Sequence, residues 1–125
     1  MSFLPRARIQ LQLVVIWIFN GILRWTPTHA LRILLLRATG ARIGARTAFH
    51  RSCYLTRPGR LRIGRGCTVN FGCYLDTRGG IEVGDGVMIG HRVRIYTAGH
   101  DIEARDFAGF TRGVAIGDRA VVFPQ

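Results

Sequence analysis

The chain contains no lysine. All eighteen of its basic residues are arginine, set against only seven acids, and the formal charge is +11 over 125 residues. A nucleic-acid footprint would gather such charge into a patch interleaved with aromatics. Here the arginines are spread along the chain, which argues against nucleic acid and in favour of a membrane surface or an anionic, phosphate-bearing ligand. Cysteine is scarce too: three residues, an odd number, with none in a CxxC pair. Cys53 and Cys73 lie twenty residues apart, a spacing that could bring them together, but the main reading is small thiols buried in a core, and hence a reducing compartment. The four histidines lack metal-ligand spacing, so no metal is expected. No apolar run reaches the ~18 residues of a spanning helix, because Arg8 and Arg24 bound the longest one. No small-residue cleavage site follows it, which speaks against a signal peptide.

What the sequence has is a repeat. Ile43-Gly44, Ile63-Gly64 and Val83-Gly84 open three stretches twenty residues apart, and apolar residues then recur at every sixth position. The steps run Ile43, Phe49, Leu55; Ile63, Val69, Leu75; Val83, Ile89, Ile95, with two extra residues between coils. A period of six fits neither a helix nor a single strand. It fits three short sides of a coil, each turning one apolar residue inward, with successive coils stacked one strand spacing apart. Four residues after each inward position stands something small: Thr47, Cys53, Gly59; Cys67, Cys73, Gly79; Val87, Val93, Gly99. Glycine at the corners is read as tolerating a tight bend. The expected architecture is an all-β solenoid, a parallel β-helix over residues 41–125.

The third coil is interrupted. Val114-Ala115-Ile116-Gly117 repeats Ile81-Glu82-Val83-Gly84 after thirty-three residues instead of twenty, so residues 101–113 leave the coil as a loop. Insertions of this kind on a rigid scaffold often carry the binding face. This one begins beside His100 and Asp101.

Residues 1–40 are of another kind. An apolar helix runs from about Leu11 to Trp25; Thr26 and Pro27 then read as the cap and first position of a second helix. Leu31, Leu34, Leu35 and Ala38 form its apolar stripe, and Gly40 stops it. Two compatible roles follow: a helical hairpin closing the N-terminal end of the solenoid, and a peripheral membrane contact with tryptophans and arginines at headgroup depth.

Taken together, the segments Val69-Asn70-Phe71-Gly72-Cys73-Tyr74-Leu75-Asp76, Ile81-Glu82-Val83-Gly84-Asp85 and Gly99-His100-Asp101 through Val114-Ala115-Ile116-Gly117-Asp118 resemble the hexapeptide-repeat acyltransferases. The likeness is to sugar O-acetyltransferases of exopolysaccharide biosynthesis and covers about residues 27–118. It implies a left-handed parallel β-helix, a homotrimer with sites between subunits, acetyl-CoA as co-substrate and a sugar hydroxyl of a cell-surface polysaccharide or its precursor as acceptor. A cytoplasmic protein, peripheral at the inner face of the membrane, is the matching location.

The resemblance makes His100 the general base. A sugar hydroxyl is a poor nucleophile, and an imidazole can take its proton as it attacks the thioester; a backbone N–H at a coil corner would meet the oxyanion. Asn70 matches the family's acceptor-positioning asparagine, and Asp76 and Asp101 are read as orienting the histidine or binding sugar hydroxyls. His50 and His91 fall at outward coil positions and read as solvated surface. Asp85 and Asp118 read as turn residues. Arg92 and Arg94 are surface residues or partners of a phosphate on the acyl carrier. The sequence stops ten residues into a fourth coil, where relatives continue and build most of their acetyl-CoA channel. The rival expectation is therefore a shortened, non-catalytic homologue acting as a structural or interaction module.

Overall fold

The computed structural model describes residues 3–124. The twenty-residue period becomes coils, each contributing one short strand to each of three parallel sheets. The first sheet holds β1 (Arg42–Ile43), β4 (Leu61–Ile63), β7 (Ile81–Val83) and β12 (Val114–Ile116). The second holds β2 (Ala48–Phe49), β5 (Thr68–Val69), β8 (Met88–Ile89) and β13 (Val121–Val122). The third holds β3 (Tyr54–Leu55), β6 (Tyr74–Leu75) and β9 (Arg94–Ile95). The register places Ile43 on Ile63, Phe49 on Val69 and Leu55 on Leu75, and carries each column into the next coil. Val114–Ile116 lies on Ile81–Val83 across the thirty-three-residue interval. The inward columns are buried in one cluster, with Phe49, Leu55 and Val69 fully inaccessible. The arrangement fits a parallel β-helix.

The small residues between the inward positions have distinct surroundings. Gly59, Gly79 and Gly99 do not face inward. With two extra residues per coil, the third corner is filled by Ala41, Leu61 and Ile81, all buried. Glycine serves the bends at Gly66, Gly72, Gly80 and Gly86, which have positive φ, whereas Gly44, Gly64 and Gly84 do not have positive φ and play another part. They are glycine because coils approach too closely there: a Cβ on Gly64 would come within 2.6 Å of the Gly84 carbonyl oxygen. The small residues on the other two sides do a second job. Thr47, Cys53, Cys67 and Cys73 each donate a hydroxyl or thiol hydrogen to a carbonyl seventeen residues on, Gly64, Asn70, Gly84 and Gly90 respectively. All three cysteines are free and buried, and hydrogen bonding to Cys73, then burial, pushes the Cys53 thiol up.

Two helices precede the coils, α1 (Phe3–Trp25) and α2 (His29–Ala38). The cap of α2 is Thr28, not Thr26: its hydroxyl accepts from the Leu31 N–H at 3.2 Å, while the Thr26 hydroxyl donates to Ile22 O and closes α1. The expected apolar stripe of α2 is not its core face. Arg32, Ile33 and Leu36 are buried instead, and Leu31 and Leu34 are exposed. Leu23 of α1 joins Ile33 and Leu36 in the solenoid cluster and closes the core at this end.

The helices also occupy the first coil's open hydrogen bonds. Inside the stack, the carbonyls of Ile63, Val69 and Leu75 accept from the coil before. The equivalent oxygens of Ile43, Phe49 and Leu55 have no earlier coil beneath them. They accept instead from Arg37 (2.7 Å), Arg32 (2.6 Å) and Asn20 (2.8 Å), one side chain for each side of the coil.

Candidate functional site

The excursion from the third coil is a β-hairpin, not an irregular loop confined to 101–113. It starts three residues early, with β10 (Ala98–His100) antiparallel to β11 (Gly109–Thr111). Backbone pairing wins because the departing chain carries its own partner, and Gly99 leaves room for the Phe110 ring, 3.2 Å from where a Cβ would stand. The Arg112 guanidinium lies over the Phe110 ring, 5.3 Å from its centroid.

His100 is exposed at the end of β10. Its Nδ1 lies 2.9 Å from the Phe107 carbonyl oxygen, and its ring stacks on Phe107 at 5.0 Å and 5°. A carbonyl only accepts, so Nδ1 carries the hydrogen and Nε2 of the neutral ring keeps its lone pair. Nε2 has no hydrogen-bond partner among the described residues. Phe107 holds this position with φ +52, an uncommon conformation for a phenylalanine.

Asp76 lies beneath the hairpin and is fully buried. Its carboxylate accepts from Arg78 Nε (2.8 Å) and Nη2 (2.9 Å), from the Thr56 hydroxyl (3.1 Å), and from the backbone N–H groups of Arg78, Thr97 and Ala98. The Arg78 fork, which outweighs burial, holds its carboxyl well below the usual carboxylate range. The carboxylate is thus spent inside the coil, where it fixes the first residue of the strand that carries His100. Thr97 ties the same corner, donating to Asp76 O and accepting from the Gly79 N–H.

Arg78 was not singled out from the sequence, yet it lines a depression of about 420 Å³ with His100, Gly109 and Phe110. The signal was the pair Asp76 and Arg78, two residues apart at a coil corner. Nη1 of Arg78 has no partner among the described residues, which leaves a cation beside an imidazole in an open recess.

The other sequence candidates fall elsewhere. Asp101 opens the hairpin tip, its carboxylate accepting from the Glu103 N–H at 2.9 Å. Asn70 directly follows β5, and its amide donates to Ile89 O at 2.8 Å. No hydrogen bond among the described residues joins either to His100. His50 is not plain surface: its ring meets His29 edge-on at 4.5 Å, and burial, then His29 and Arg32, lower its pKa. Arg94 is exposed on β9, and Arg92 takes a left-handed turn conformation. No group of three potential metal ligands occurs among the described residues.

No protein-family model matches the chain, and no curated protein matches it by sequence. Two solved structures do. One is a hexapeptide-repeat-containing acetyltransferase of Vibrio cholerae, with a TM-score of 0.79 at 19% identity over 91% of this chain and 66% of that one. The other is a hexapeptide-repeat-containing acetyltransferase from Vibrio cholerae O1 biovar eltor in complex with acetyl coenzyme A, with a TM-score of 0.67 at 22% identity over 94% and 69%. The present chain therefore spans just under two thirds of the length of the first. At these identities the likeness establishes a shared fold.

Proposed function

We propose that this chain is an acyl-CoA-dependent O-acetyltransferase built on a left-handed parallel β-helix, acting as a homotrimer on a sugar hydroxyl of a cell-surface polysaccharide or its precursor. The observation that carries the reading is His100. It stands at the rim of an open recess, its Nδ1 hydrogen committed to the Phe107 carbonyl and its Nε2 lone pair without a hydrogen-bond partner among the described residues. The resemblance of the flanking segments supports the acyl-transfer class, as does a fold shared with a protein solved with acetyl coenzyme A.

In the reaction, Nε2 of His100 takes the proton of the acceptor hydroxyl as its oxygen adds to the thioester carbonyl. The tetrahedral intermediate then collapses, the carbon–sulfur bond breaks, and the coenzyme thiolate leaves with the proton from the imidazolium. The acetyl ester and the free thiol are the products, and the ring returns to its neutral tautomer. Arg78, whose charge is paired with Asp76, offers the N–H groups of Nη1 beside the recess to an anionic group of the donor. Asp76 acts through position, by fixing Ala98.

The test is thiol release from acetyl-CoA by the purified chain with a panel of mono- and oligosaccharides, with mass in solution measured on the same sample. Acceptor-dependent release that His100→Ala abolishes supports the reading. A folded protein that neither binds nor cleaves acetyl-CoA overturns it in favour of a non-catalytic structural module.

A further inference from the structure

A recess larger than the one beside His100 lies away from it. A groove of about 1290 Å³ runs between α1, α2 and the first coil, lined by Trp17, Ile18, Trp25, Leu31 and Leu34 among others. Its α2 wall is the stripe Leu31, Leu34, Leu35 and Ala38 that the sequence pattern marks as apolar; Leu35 leans on the solenoid core, while Leu31 and Leu34 stay exposed.

The groove continues an unpartnered surface. Among the described residues of α1, only Ile16, Phe19, Asn20 and Leu23 are partly or wholly buried, while Leu11, Leu13, Val14, Val15, Trp17 and Ile22 are all about half exposed or more. A helix that is apolar all round is stable only when something covers the rest of it. Contrary to the sequence expectation, the helix over Pro5–Trp25 is long and apolar enough to cross a membrane: its most apolar window of 18 residues has a mean hydropathy of 1.2, with 17% of that window buried in the protein.

Charge identifies the cover. All residues before Asp76 together hold twelve of the eighteen arginines and none of the seven acids. Arg6, Arg8 and Arg24 border the apolar face. A second copy of the chain would bring like charges together around that face, with no carboxylate in this half of the molecule to pair them. An anionic lipid headgroup layer supplies the missing counter-charge and apolar cover at once. Asn20 and Leu23 are held by the coil, which ties the C-terminal half of α1 to the protein surface and favours a helix lying in the interface over one that crosses.

We propose that α1 and the groove seat the protein on an anionic bilayer, with lipid acyl chains entering between α1 and α2. The buried free thiols favour the cytoplasmic leaflet. This inference is independent of acetyl transfer and can fail or stand without it.

Both tryptophans of the chain line the groove, which gives a direct reporter. The full chain is mixed with vesicles of phosphatidylcholine alone, or of two parts phosphatidylcholine to one of phosphatidylglycerol, with and without brominated acyl chains. Flotation with the mixed vesicles, weakening as salt is raised, and quenching of tryptophan by the brominated chains are expected. Val14→Gln combined with Ile18→Gln, at exposed positions, should lower vesicle affinity at least tenfold with an unchanged melting curve. Absence of flotation by folded protein overturns the proposal. So does flotation without quenching, or an oligomer whose tryptophans stay shielded from lipid. Equal binding to neutral vesicles that survives alkaline extraction would replace it with a spanning helix.

Discussion

The carboxamide of Asn20 grips Leu55 from both directions, Nδ2 donating to its carbonyl at 2.8 Å and Oδ1 accepting from its N–H at 2.9 Å. A side chain thereby reproduces the pairing that another strand would give to the edge of the third sheet. Asn20→Ala leaves a buried donor and acceptor unpaired and should cost about 2–3 kcal/mol in chemical denaturation. A loss below about 0.5 kcal/mol would mean that water replaces the contact without penalty.

Gly64→Ala tests the close approach of neighbouring coils. Its new methyl group would meet the backbone of Gly84, which cannot move without disturbing the ladder. A loss of about 3 kcal/mol or more is expected, well above the ordinary surface substitution. A neutral result would show that the coils can separate locally.

The Asp76 carboxyl is held below its ordinary value, so it binds fewer protons folded than unfolded. Its contribution to stability is complete above about pH 4 and drains away as pH falls further. Asp76→Asn should therefore destabilise the protein at pH 7 and much less at pH 2.5. An equal loss at both pH values would assign the effect to packing. The same variant should lower kcat with little change in KM, since it disturbs the strand beneath His100 without touching substrate.

His50 is also depressed, chiefly by burial, with His29 and Arg32 adding repulsion. For a histidine this means that the folded state resists protonation, so stability is full above about pH 6.5 and falls as pH drops through that region. An NMR titration should place its midpoint below that of an exposed histidine. A midpoint at or above the ordinary value would remove the claim.

Phe107 presents both a ring and a carbonyl to His100. Phe107→Ala removes the stack and keeps the carbonyl; a fall of about tenfold in kcat at constant KM is expected if ring orientation limits proton transfer. Unchanged turnover would leave the hydrogen bond alone responsible for orientation.

The coils were legible because their information is local and repeated: Ile43, Ile63 and Val83 announce the register that the sheets adopt. The third corner was not legible, because the two extra residues bring a further buried position, Leu61, that a period of six does not mark. The helix face was misread for another reason. The stripe Leu31, Leu34, Leu35 and Ala38 is a real apolar pattern, but pattern does not say what covers it, and the solenoid took Arg32, Ile33 and Leu36. Around His100, the histidine was legible through its neighbours in sequence, while Arg78 and Thr97 enter only because stacking brings a coil corner under the hairpin. Asp76 was noticed, but its enclosure could not be read, since its partners come from three coils.

The three carbonyls closed by Arg37, Arg32 and Asn20 also give the solenoid a direction. A parallel stack has two unlike ends, and this end is terminated by side chains shaped to one coil. A tandem duplication of twenty residues inserted later in the chain would present each new coil with the same ladder and the same inward columns. The same unit placed ahead of Ile43 would displace all three anchors at once. Length in this architecture can therefore change in whole coils without redesigning its origin, and the helices act as the fixed zero from which the coils are counted.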